Sequence, residues 1–241
     1  MREVKKMSKN NMDKLLNDKS PFGIKEAYSM ARTSIIYLPH LSECPVYGFT
    51  SAVPNEGKSL SASNIAISFA RLGKKVLLID CDIRSSTQGE SFGIKGKIGL
   101  SEYLSGITKE PVVQRVEQEN LFLMTAGKRS PDPSELLHSE RMKQLISDMK
   151  KEYNYIFLDC PPINIVADAT LLAPLIDGYI IVIRSGFSDS REVLQAVKVL
   201  KNINAKISGF VLNDVNPKGG LSGCLHSSKG GYNKYGSYYD Q

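Results

Sequence analysis

An apolar run at residues 46–50 leads into the string Ala-Val-Pro-Asn-Glu-Gly-Lys-Ser at 52–59, and a helical pattern begins at Leu60. Strand, loop and helix in that order, with a lysine and a hydroxyl at the start of the helix, form the pattern of a phosphate-binding loop. In such a loop the backbone N–H groups wrap phosphate oxygens, Lys58 can reach the β and γ phosphates, and Ser59 can offer its hydroxyl to Mg²⁺. Pro54, Asn55, Glu56, Gly57 and Leu60 complete the nucleotide-contacting set. The helix presents its positive end to the same anion. Ala52 stands where the general pattern has glycine, so the string alone does not separate this reading from a plain turn before a helix.

The rest of the chain supplies the context. A second apolar strand follows at 75–79, and further β-type runs lie at 121–125, 155–158, 179–183 and 207–212. Helical spacing marks 24–38, 59–72, 140–151, 168–175 and 190–203. Continuous rather than alternating apolar strands predict an α/β fold, a mostly parallel sheet covered by helices on both faces. Such sheets bind ligands outside the carboxyl ends of their strands. Residues 1–22 read as a mobile arm, 23–216 as one phosphate-loop domain, and 217–241, rich in Gly, Ser and Lys, as a flexible tail carrying Tyr232, Tyr235, Tyr238 and Tyr239.

Three carboxylates fall at strand ends. Asp80 and Asp82 lie in Leu-Ile-Asp-Cys-Asp-Ile-Arg, and Asp159 in Leu-Asp-Cys-Pro-Pro. Phosphoryl transfer needs a metal to bridge phosphate oxygens, a group to orient or deprotonate the nucleophile, and cations to match the charge in transfer. Asp80, Asp82 and Asp159, with Lys58 and Arg84, provide that inventory. A solvated strand end or a helix N-cap is the alternative for any one of these acids taken alone. Pro161 and Pro162 stiffen the exit behind Asp159.

The bulk properties exclude several classes. At 241 residues, with 41% hydrophobic and 23% charged residues, the chain suits one soluble domain. No run reaches the eighteen or so apolar residues of a membrane span and the start lacks an apolar signal core, so the expected location is the cytoplasm. Cys44, Cys81, Cys160 and Cys224 show no C-x-x-C pair, against a zinc site or a disulfide framework. The net charge of +6 is spread along the chain without aromatic interleaving, so nucleic acid is not an expected partner.

With these pieces together, the chain resembles the bacterial tyrosine kinases, the phosphate-loop autokinases of capsule and exopolysaccharide synthesis, in their stand-alone cytoplasmic form. Residues 52–59 resemble Walker A, 77–84 the family's Walker A′ and 156–162 Walker B, with support from 99–106, 133–137 and the tyrosine cluster. The resemblance implies ATP and Mg²⁺ as cofactors, with Ser59, Asp82 and Asp159 toward the metal. It also implies that Asp80 accepts the tyrosine proton, with Asp80 and Asp82 the less settled pair, and that Asn213 sits at the adenine. Tyr232, Tyr235, Tyr238 and Tyr239 are then the phosphoacceptors, modified in a neighbouring copy. Implied partners are a membrane-bound adaptor of the polysaccharide co-polymerase type, which recruits the kinase to the inner face of the membrane, a cognate tyrosine phosphatase, and further copies of the chain.

Two departures from the family pattern stand out. In its E-x-x-R-x-x-R helix, Glu26 and Arg32 are present but Ser29 holds the middle place, which leaves a ring-shaped oligomer open. After Arg84 the family continues with Arg-Pro, while this chain has Ser85, Ser86, Thr87 and Gln88. The rival readings are a switch ATPase of the partitioning or septum-placement kind, against which Val53 replaces an early lysine of the loop, and a nucleotide-binding scaffold of a polysaccharide export complex.

Overall fold

The computed structural model describes residues 12–39, 42–94 and 98–215. Its elements in order are α1 (Phe22–Ile36), β1 (Val46–Ser51), α2 (Lys58–Ala70), β2 (Val76–Asp80), α3 (Gln88–Ser91), α4 (Leu100–Leu104), β3 (Gln114–Arg115), β4 (Leu121–Met124), α5 (Pro133–His138), α6 (Glu140–Met149), β5 (Tyr155–Asp159), α7 (Asp168–Leu171), a 3₁₀ turn (Ala173–Leu175), β6 (Gly178–Arg184), α8 (Ser190–Asn202) and β7 (Ile207–Asn213). The seven strands form one sheet in the order β3-β4-β2-β5-β1-β6-β7. All neighbours pair in parallel except β3 with β4.

This is the mostly parallel, doubly covered α/β sheet that the apolar runs predict. Every residue of β1 and β2 is buried, because each strand has a packed layer on both sides. One layer joins Leu77, Ile79, Ile156 and Leu158 to Leu145 and Ile146 of α6 and Ala196 and Leu200 of α8. The other joins Phe49, Leu78 and Phe157 to Ile65, Ala66 and Phe69 of α2 and Ile35 of α1. Helix α2 is buried almost all round, which its small residues Ser61, Ala62, Ser63, Ala66 and Ser68 permit by letting neighbours approach closely.

Some expectations change. Residues 1–11 of the expected arm lie outside the described residues, but 12–21 dock on the domain rather than standing free. Leu16 is buried, its N–H donates to Asn64 Oδ1 at 2.7 Å, and Asn64 Nδ2 donates to the carbonyl of Lys14 at 3.3 Å. A buried amide on α2 needs such partners, and this strap supplies them. The helical pattern at 168–175 breaks into α7 and the 3₁₀ turn, since Pro174 lacks the N–H that would continue the helix. Strand β7 is an edge, with Phe210 and Leu212 exposed, not a strand covered on both faces. The tail and Tyr232, Tyr235, Tyr238 and Tyr239 lie outside the described residues.

Candidate active site

The strand order places β1 between β5 and β6, with β2 on the far side of β5. Register pairs Asp80 of β2 with Asp159 of β5, and Phe49 of β1 with the same Asp159. The loop leaving β1 and the acids leaving β2 and β5 therefore meet at one end of the sheet, where open α/β sheets bind ligands.

Residues 52–57 are held in shape by hydrogen bonds within the chain. Asn55 and Gly57 take left-handed backbone conformations, φ 67° and 89°, which Asn tolerates and glycine prefers. Ala52 is not at positive φ, so the glycine of the general pattern is not required there. Glu56 is buried and acts as a staple. Its Oε2 accepts from the N–H of Val53 at 2.9 Å, and its Oε1 accepts from the Ser188 hydroxyl. Asn213, at the end of β7, donates through Nδ2 to the Glu56 carbonyl at 3.1 Å, and Arg184 reaches the Asn55 carbonyl at 3.3 Å. A Cβ on Gly57 would come within 2.0 Å of Asn213 Nδ2, so loop and strand end are fitted to each other.

Lys58 opens α2 and lies among the acids. Its Nζ is 2.9 Å from Asp82 Oδ2, 3.4 Å from Asp159 Oδ1 and 3.2 Å from Ser59 Oγ. Burial alone would push this ammonium down, but Asp159 and Asp82 outweigh it and hold Lys58 above the usual lysine range. Asp80 is fully buried. Its Oδ1 accepts from the N–H of Asp82 at 3.1 Å, and its Oδ2 accepts from the N–H groups of Thr87 and Gln88 at 3.2 and 3.1 Å. Burial, then the charge of Asp159, raises its carboxyl to about 8, against the downward pull of Lys58. Asp82 is the more open acid at 5% exposure, and its Oδ1 accepts from the N–H of Ser85 at 3.0 Å.

Lys58, Ser59, Asp82 and Asp159 are thus brought together, and Asp80, at the end of β2, is held by N–H groups of the turn that follows. Arg84 is placed differently. Its Nε donates to Asp168 Oδ2 at 2.7 Å and its Nη2 donates to Asp168 Oδ1 at 3.1 Å, so it forks onto α7 and not toward Lys58. Sequence reading also missed Gln88. Its Nε2 donates to Asp159 Oδ2 at 2.8 Å and to the Ser59 carbonyl at 3.0 Å, while its Oε1 accepts from Ser63 Oγ at 2.6 Å. Gln88 thereby ties the second strand end, the head of α2 and the third acid into one unit. Its one sequence signal was its place in the run that departs from Arg-Pro.

The donor set fits a nucleotide with its metal. The loop's left-handed residues and the head of α2 form an anion cradle. Among the described residues no group of three His, Cys, Asp or Glu side chains is arranged to hold a metal alone. Mg²⁺ does not need one, since it takes one or two carboxylates and fills its shell with phosphate oxygens and water. Among the same residues, no helix is long and apolar enough to cross a membrane.

Comparison with known proteins agrees with this chemistry. A family model described as an AAA domain matches residues 55–211. Tyrosine-protein kinase YwqD of Bacillus subtilis is 37% identical over 78% of this chain and 80% of its own length. The structure titled the kinase domain of Escherichia coli tyrosine kinase ETK superposes with a TM-score of 0.77 at 30% identity, covering 86% of this chain and 80% of that one. The cell division ATPase MinD of Pyrococcus furiosus, at 21% identity and a TM-score of 0.60 over 70% of this chain and 71% of its own, shares the fold.

Proposed function

The chain belongs to the family of bacterial tyrosine-protein kinases, and on that footing we propose that it transfers the γ-phosphoryl group of Mg·ATP to Tyr232, Tyr235, Tyr238 and Tyr239 in the tail of a neighbouring copy. The observation that carries this reading is the seating of Lys58 between Asp82 and Asp159 at the head of α2. When phosphates enter the loop, Lys58 exchanges carboxylate partners for β and γ oxygens, and the N–H groups of 55–60 take the remainder. Mg²⁺, when bound, would neutralise charge on the group in transfer. Ser59, Asp82 and Asp159 are the residues that would hold it, and Gln88 fixes Asp159 through its Oδ2. Asp80, its carboxyl raised by burial and by the charge of Asp159, takes the tyrosine proton once the 82–88 turn releases one of its oxygens, while Asp82 is kept for the metal. Asn213 and the Arg184 side chain donate to carbonyls of the loop, and the adenine would lie on that side.

The remaining parts of the reading rest on the family. A membrane-bound adaptor of the polysaccharide co-polymerase type recruits and activates the kinase, a tyrosine phosphatase resets it, and the output is control of capsule or exopolysaccharide synthesis. Copies associate through α1. There Arg32 is occupied within its own chain, donating through Nη1 to the carbonyl and hydroxyl of Ser68 at 3.0 Å each, which supports an oligomer smaller than a ring. The tail is Lys-bearing, so its phosphates add negative charge to a basic segment and weaken the association.

Incubation with [γ-³²P]ATP, Mg²⁺ and an activating adaptor segment tests the reading. Label is expected on tyrosine. Rapid phosphate release without phosphotyrosine would instead support the switch ATPase.

A further inference from the structure

Arg84 belongs to the Walker A′ segment, yet its guanidinium is held by residues from two other parts of the chain. Asp168, the first residue of α7, accepts two of its three hydrogen bonds, and Ser134 of α5 accepts the third and completes a triangle. The Ser134 hydroxyl donates to Asp168 Oδ1 at 2.6 Å and accepts from Arg84 Nη2 at 3.2 Å. The burial of the pair is unequal: the Asp168 side chain is 0% exposed, whereas that of Arg84 is 37% exposed. Burying a carboxylate completely costs several kcal/mol unless it is fully paired, so an acid placed here only to fill space would be a poor choice. An acid that fixes the orientation of a cation at the rim has a reason to be there. Arg84 follows Asp82 by two residues, which span at most about 7 Å of chain, and Asp82 touches Lys58. The charge of Asp82, which touches Lys58, also acts on the guanidinium, whose Nε and Nη2 are engaged by Asp168 and Ser134 while its Nη1 makes no hydrogen bond among the described residues.

We propose that Asp168 and Ser134 are positioning residues for Arg84, holding its fork so that the remaining amino group meets an anionic oxygen of the phosphoryl group in transfer. The proposal rests on the phosphoryl-transfer reading above but not on the identity of the acceptor. Preorganised cations aimed at charge that develops in transfer accelerate it, and a small misplacement forfeits most of that gain. Electrostatics agree with the geometry. Burial raises the Asp168 carboxyl, but the Arg84 and Ser134 hydrogen bonds more than reverse this and hold it below the usual carboxylate range.

The test is a mutant cycle on the full chain, with kcat and KM for ATP measured for phosphotyrosine formation and phosphate release in parallel. Arg84→Met is expected to lower kcat about 100-fold and Asp168→Asn about 10-fold, with KM for ATP changed less than about threefold. The double variant Arg84→Met/Asp168→Asn is expected to match Arg84→Met alone, since the acid acts through the arginine. A loss from Asp168→Asn that is as large in the Arg84→Met background as in wild type overturns the proposal, as does an unchanged kcat. Should Asp168→Asn fail to fold, Ser134→Ala keeps the acid and reads the same coupling at roughly threefold. Phosphate release without phosphotyrosine in the wild type sinks the tyrosine reading alone, and the cycle is then read on phosphate. If neither product forms, affinity for Mg·ADP with aluminium fluoride, a stand-in for the phosphoryl in transfer, decides. Arg84→Met and Asp168→Asn must then weaken it together while leaving Mg·ADP affinity unchanged.

Discussion

Replacing Gly57 with alanine attacks the loop at the point where its backbone and its neighbour are both committed. The residue has φ 89°, and an added Cβ would lie 2.0 Å from Asn213 Nδ2. The left-handed conformation costs a non-glycine residue roughly 1–2 kcal/mol. The Asn213 amide sits at the end of a side chain and can rotate away, but it then gives up its bond to the Glu56 carbonyl, a loss of about 1 kcal/mol. Gly57→Ala is therefore expected to destabilise the protein by about 2–3 kcal/mol in urea unfolding. In an Asn213→Ala background the amide is already gone, so only the backbone part of about 1–2 kcal/mol remains. The two substitutions should couple by about 1 kcal/mol, and ADP affinity should fall at least tenfold in Gly57→Ala, because the N–H groups of the loop shift. Strict additivity in the cycle, or a Gly57→Ala protein as stable as wild type, would refute the view that loop and strand end are fitted together.

Other consequences can be measured directly. Because the Asp80 carboxyl is raised to about 8 by burial and by Asp159, and a base must be ionised to act, kcat/KM for phosphotransfer should climb about tenfold per pH unit up to about 8 and level off above it. A flat profile from pH 6 to 9 removes Asp80 from the role. Gln88→Ala deletes bonds to Asp159, to the Ser59 carbonyl and from Ser63, at an expected cost of about 2–4 kcal/mol by chemical denaturation. Gln88→Glu sets a carboxylate against Asp159, so it should destabilise more at pH 8 than at pH 5; equal losses at both would contradict the contact. Asn64→Ala should free residues 12–20, read as faster amide exchange at Leu16 and earlier proteolysis ahead of α1, whereas unchanged exchange would mean that the Leu16 side chain alone holds the strap.

Much of this was legible in the sequence because the signals are local or periodic. Six of the seven strands announce themselves as apolar runs, whereas β3 has only two residues and an antiparallel pairing that no run of that length can signal. Asp80, Asp82 and Asp159 could be found because Asp80 and Asp159 end their strands and Asp82 follows two residues on, and parallel register carries strand ends to one rim. The partners of those acids are a different matter. Gln88 meets Asp159 across 71 positions and Arg84 meets Asp168 across 84, contacts set by how short helices settle over the rim rather than by any repeat. The docked strap went unseen for a related reason: one leucine and one amide on a helix decide it, and neither creates a pattern. Asp80 shows the limit of motif reading, since the motif supplies an acid whereas the 82–88 turn determines how much of it is free.

The central claim is that this site phosphorylates the tail of another copy. It is tested by mixing two full-length proteins with Mg·ATP and an activating segment: a Lys58→Met chain with its tail intact, and a chain with a wild-type site whose four tail tyrosines are replaced by phenylalanine. Mass spectrometry is expected to find phosphate on Tyr232, Tyr235, Tyr238 or Tyr239 of the Lys58→Met chain, and none when that chain is incubated alone. ATP consumption in the mixture without phosphotyrosine on that tail would contradict the account.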